Sequence, residues 1–150
     1  MIRDDIKAAT ITAMKAGNKE VVGTLRLVSA AIKNRDIEAR TGGAPKDDCA
    51  LVTEVLQKMI KQRRESAEVY RKGNREDRAA VEEAEITVIE RFLPQQLSDA
   101  EAETRIREII AETGASSMKD MGRVMALVKE RLGTSIEPTR ASALVKSALT

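Results

Sequence analysis

The sequence predicts an all-α protein: a helical N-terminal domain of four helices over residues 1–94, then a small three-helix domain over 95–150. Three observations predict it. Apolar residues recur at helical spacing, and no segment sustains the period-two alternation of a half-buried strand. Gly, Asn and Pro fall between these runs, where a helix has to stop. Only two aromatics are present, Tyr70 and Phe92, so the core is left to Ala, Val, Leu, Ile and Met, a palette that suits closely packed helices.

Each element follows from its own signals. Ile2, Ile6, Ala9 and Ala13 share one helical face, and Gly17 can take the left-handed position that ends it. The next run carries Val21, Val22, Leu25, Val28, Ala31, Ile32 and then Ile37, and stops at "TGGAP". Asp47 or Asp48 caps a third helix by accepting from free backbone N–H groups, and Gly73-Asn74 closes it after Lys72. A fourth helix begins near Arg75, and Pro94 prevents its continuation. "SDAE" at 98–101 is a capping box, with Ser98 on the N3 amide and Glu101 reaching back. The helix behind it ends at Gly114. Ser116 or Ser117 caps "MKDMGRVMALVKERL", closed by Gly133, and Pro138 opens the last helix at a position where its missing N–H costs nothing. "LPQQLS" is the one plausible boundary between the two domains.

Composition narrows the function classes. A third of the residues are charged, yet the net charge is only +2, so nucleic-acid binding requires local segregation of charge. Two aromatics do not make a stacking platform for single strands. There is no His, which removes His-based acid–base catalysis and His–metal sites, and no cofactor is expected. Cys49 is the only Cys, and it stands beside Asp47 and Asp48, which discourage its thiolate form. No phosphate-binding loop, dinucleotide fingerprint or nucleophile elbow occurs, so no stand-alone enzyme is expected. No apolar run is long enough to span a membrane and no secretory signal is visible; the expectation is a cytoplasmic protein with no membrane partner.

The densest basic stretch, residues 58–78, holds eight Lys and Arg in 21 residues. At about 100° per residue, Val52, Val55, Leu56, Met59, Ile60, Ala67 and Tyr70 share one half of the wheel. Most of the basic residues fall on the other half, among Glu65 and Glu68, as on the wet side of an amphipathic helix. Gln62 and Arg63 turn toward the apolar half. A guanidinium there must be paired, stacked or snorkelling, and the expectation is an inter-helix bridge to an acid of "VEEAEITVIE": Glu82, Glu83, Glu85 or Glu90.

The last third segregates charge more clearly. Residues 99–112 hold five acids against Arg105 and Arg107. From Met118 onward Lys119, Arg123, Lys129, Arg131, Arg140 and Lys146 face only Asp120, Glu130 and Glu137. Met118, Met121, Val124, Met125, Val128 and Leu132 form one apolar stripe, with Lys119, Arg123 and Lys129 on the other side. Gly122 lowers helix stability by about 1 kcal/mol against Ala, which a close backbone approach by a packed helix, a phosphate or a sugar would explain.

Four stretches together resemble the GatB/YqeY family: "LRLVSAAIKNRDIEAR" at 25–40, "VLQKMIKQRRES" at 55–66, "FLPQQLSDAE" at 92–101 and "MGRVMALVKERLG" at 121–133. Within them Lys33-Asn34, Lys61-Gln62-Arg63 and Gly122 match the family's motifs. The resemblance implies a helical N-terminal domain and a tail similar to that of the B subunit of glutamine-dependent tRNA amidotransferases, carbon–nitrogen ligases whose chemistry lies in other domains. It implies a tRNA-binding accessory module without a catalytic domain. Lys119, Arg123, Lys129, Arg140 and Lys146 are the candidate phosphate and sugar ligands, with aminoacyl-tRNA synthetase or amidotransferase subunits as possible partners. An adaptor that docks on such an enzyme through an apolar patch near Met118 and Met125, with no nucleic-acid contact, is the alternative. The turn "GTSIEPTR" departs from the family, and Glu137 there would repel phosphate.

Overall fold

The computed structural model describes residues 1–45 and 47–150. Among them the structure is all-α. The helices are α1 (Ile2–Lys15), α2 (Lys19–Ala39), α3 (Asp48–Lys72), α4 (Glu76–Glu90), α5 (Asp99–Thr113), α6 (Met121–Leu132) and α7 (Pro138–Leu149), with short 3-10 turns at Met118–Asp120 and Gly133–Ser135. The chain divides into two compact units, Met1–Leu93 and Pro94–Thr150.

Local chemistry sets the helix ends. The Asn18 side chain accepts from the Val21 amide, Asp47 from the Ala50 amide and Ser98 from the Glu101 amide, each at 3.2 Å. Asn74 adopts a left-handed conformation (φ 57°) that turns the chain from α3 into α4. The start of α6 differs from the sequence expectation. Ser117 makes no side-chain cap; a 3-10 turn intervenes, and the Asp120 carboxylate instead accepts from the Ser116 amide at 3.1 Å.

In the first unit α3 packs chiefly along α4, and α2 packs on both as well as on α1. Leu25 and Val28 of α2, Val52 and Leu56 of α3 and Ile89 of α4 are fully buried at the centre. Each contributes about 1.5–3 kcal/mol of burial. This core reaches Ile60 and no farther along α3. Beyond it α3 and α4 continue as a hairpin in which small residues, Ala67 and Ala79, are the buried ones. The buried arc of α3 therefore narrows toward its C-terminal end. That narrowing overturns one expectation: Gln62 lies past the rim of the arc and is exposed.

Charges lock the same helices. Arg3 donates to both oxygens of Asp36 at 2.7 and 2.8 Å and to Asp48 at 3.1 Å, joining α1 to α2 and α3. That fork holds the Asp36 carboxyl below the usual carboxylate range, chiefly through the hydrogen bonds to Arg3.

In the second unit Ile106, Val124, Val128 and Val145 meet from three helices and are buried. The segment before α5 is bound to this unit. The Gln96 amide donates to the Thr134 carbonyl at 2.7 Å, and the Leu97 N–H to the Ser135 carbonyl at 2.8 Å.

Candidate nucleic-acid interface

The expected apolar stripe of α6 splits on folding. Val124, Val128 and Leu132 are buried and Met121 and Met125 pack against them, while Met118 remains 40% exposed on its 3-10 turn. The opposite face of α6 carries Gly122, Arg123, Ala126 and Lys129, all exposed, with Lys119 just before it.

The five candidate cations of the tail fall into distinct environments. Lys119, Lys129 and Lys146 are exposed, and among the described residues none of them joins an ion pair. Arg123 is exposed and rests on Asp120 one turn back, at 3.3 Å. Such a surface pair is worth under about 1 kcal/mol and yields readily to a phosphate. Arg140 is different. Its guanidinium donates to the Leu97 carbonyl at 3.0 Å and pairs with Asp99 at 2.5 Å, so it fastens α7 to the start of α5. Its Nε is buried with no partner. Arg131 is likewise engaged, on Glu112 of α5, whose carboxyl it holds below its ordinary range by hydrogen bonding.

Outside its chain neighbours and the adjoining backbone of its own helix, no heavy atom lies within 4 Å of where a Cβ on Gly122 would stand. The close approach expected from a packed helix is therefore absent; helix α6 turns this position to solvent.

The family-motif residues of the first unit also separate. Arg63 donates to Glu85 of α4 at 2.8 Å and to the Met59 carbonyl at 3.3 Å, in a half-buried seam. Lys61 is half-buried. Lys33 and Asn34 are exposed on α2. Two more cations of the dense stretch reach across to α4: Arg64 pairs with Glu90 at 3.2 Å, and Arg71 with Glu76 and Glu83. Sequence reasoning missed Arg3, because its two carboxylates stand 33 and 45 residues away.

Among the described residues no group of three or more His, Cys, Asp or Glu is placed to hold a metal ion, and no helix is long and apolar enough to cross a membrane. The fold and its surface define a small all-helical protein whose distinctive chemistry is exposed charge. The chain belongs to the YqeY-like protein family, whose model matches residues 3–149. Three fungal relatives are named altered inheritance of mitochondria protein 41, mitochondrial. The one from Meyerozyma guilliermondii is 36% identical over 146 residues, covering 93% of this chain and 72% of the relative. Those from Lachancea thermotolerans and Vanderwaltozyma polyspora are 34% and 32% identical over 63% and 65% of this chain. The chain spans about half the length of these two, 50% and 55%.

The relatives' names overturn the cytoplasmic expectation, since they are mitochondrial proteins. A lone cysteine separates oxidising from reducing compartments and does not distinguish one reducing compartment from another.

Proposed function

We propose that this protein is an accessory module that binds tRNA through the solvent face of α6 and carries no amide-forming chemistry of its own. The observation that supports this reading is the combination on that face of Lys119, Arg123 and Lys129 with the open backbone at Gly122. Cations of this kind contact phosphate and sugar and supply affinity without base specificity. Lys146 on α7 is a further candidate for the backbone; Arg140 serves the scaffold. The module's partners on this reading are tRNA and the synthetase or amidotransferase subunits that act on it. The adaptor alternative would rest on Met118, which is exposed, more than on Met125, which is partly buried against the tail's core.

The test is a titration of fluorescently labelled tRNA at two salt concentrations. Binding should weaken steeply with salt, and removing Arg123 and Lys129 together should reduce the salt slope by about 2, one for each lost phosphate contact. Absence of binding at low salt would sink the reading.

A further inference from the structure

Helix α2 is apolar on two opposite faces. One face, with Leu25, Val28 and Ile32, enters the core. The other is wholly exposed and is built of two parallel rows. Lys19, Arg26, Lys33 and Arg40 recur every seventh residue. Beside them Gly23, Leu27, Ala30, Asn34 and Ile37 follow steps of four and three. Leu27 is 51% and Ile37 48% exposed. Among the described residues none of the four cations joins an ion pair.

We propose that this face docks an acidic amphipathic helix of a partner protein, in a two-stranded, coiled-coil-like pairing. A seam repeating every 3.5 residues is what a second helix needs to stay in contact along its length. In that register Leu27 and Asn34 occupy a positions, with Glu20 at the a position where the seam begins, Gly23, Ala30 and Ile37 occupy d positions, and the cations, ending with Arg40 at the C-cap, occupy every g position. The g side chains of one helix face the e positions of the other, so the partner carries Asp or Glu at e and an apolar seam with one polar residue opposite Asn34. Its small residues let the partner backbone approach closely.

Charge excludes the nearest rival, a second copy. In a parallel pair Lys19, Arg26 and Lys33 would meet Thr24, Ala31 and Glu38 of the other chain, and only the last offers a carboxylate. An antiparallel pair would set the cation rows against each other. RNA would satisfy the cations and leave Leu27 and Ile37 uncovered. A membrane would gain only those two side chains, too few for an interfacial helix. The proposal is independent of the tRNA reading, because the residues lie on another helix in the other unit.

The experiment is calorimetric titration of the full chain with a synthetic helix of about three heptads, apolar at a and d except one Asn, and Glu at e and g. A scrambled peptide of equal composition and a Lys-flanked version serve as controls. Saturable one-to-one binding of the acidic peptide is expected, weakening with salt. R26E/K33E should reduce it about tenfold or more and favour the Lys-flanked peptide; Leu27→Asp should reduce binding to both. Thermal melts of the variants separate lost docking from lost fold. No binding, or equal binding of the scrambled peptide, overturns the proposal. A chain dimer dissolved by Leu27→Asp would assign the face to a second copy instead. If the peptide fails while R26E/K33E abolishes binding of tRNA or phosphatidylglycerol vesicles, the face belongs to RNA or lipid.

Discussion

Helices α2 and α3 are both long, both rich in Lys and Arg, and neighbours in the same unit, yet the arginines along the C-terminal half of α3 and the cation row on the outer face of α2 behave differently. Those along the C-terminal half of α3 meet carboxylates of α4: Arg63 on Glu85, Arg64 on Glu90, Arg71 on Glu76 and Glu83. Of the four on the outer face of α2, Lys19, Arg26 and Lys33 join no ion pair among the described residues, and Arg40 acts on Asp36 only through space. Four arginines of the densest basic stretch are thus paired with acids of α4, and a sparser row holds more of the free charge. What decides is whether the next element brings acids alongside, which local charge density does not report.

The comparison can be broken most forcefully at Arg63. Removing it leaves Glu85 unpaired in a half-buried seam, and Arg63→Ala should cost about 2–3 kcal/mol in urea denaturation. Arg63→Lys should recover only part, because an ammonium cannot donate to Glu85 and to the Met59 carbonyl with a fork's geometry. Full recovery by Lys would reduce the seam to simple charge. Arg140→Ala comes next, at about 1–2 kcal/mol from the lost charge-assisted bond to the Leu97 carbonyl, with tRNA affinity barely changed. A drop in tRNA affinity without loss of stability would return Arg140 to the interface.

Gly122→Ala should have the reverse signature. Stability rises by up to about 1 kcal/mol, since the position is helical and open, and tRNA binding weakens. Unchanged binding would remove the backbone approach from the tRNA reading. A smaller effect attaches to pH. The Asp36 carboxyl is held low in the folded chain, so its contribution is present above the ordinary carboxylate range and is lost as pH falls through the depressed value. At this partly exposed site the loss should be under about 1 kcal/mol, and Arg3→Gln should abolish that acid-dependent part. Least affected should be R26E/K33E, within about 0.5 kcal/mol of the parent, because those cations hold nothing in the fold. A large destabilisation there would erase the contrast between α2 and α3.

Much of this was legible in the residues themselves. Gly73-Asn74, Pro94, Gly114, Gly133 and Pro138 punctuate the chain where its helices end or begin, because backbone conformation at Gly, Asn and Pro is decided locally. The all-helical class follows from a periodicity that needs no partner to be seen. Ile37 was less legible. Its spacing suits a core position equally well, and only the placement of α1, α3 and α4 on the far side of α2 leaves it outside. Gln62 failed for a related reason, since a helical wheel has constant width and the buried arc of α3 does not.

The sequence alone therefore determined which segments are helical and where they stop; with no histidine among its residues it offers no imidazole, and a lone cysteine allows no intrachain disulfide. The tertiary structure alone decided which charges are spent. Arg3, Arg63 and Arg140 are fixed by carboxylates and carbonyls brought from 22 to 45 residues away. Lys19, Arg26 and Lys33 of α2 and Lys129 of α6 stay in solvent, joining no ion pair among the described residues. Coulomb attraction acts over a few ångströms of space, and only folding sets which residues share those ångströms.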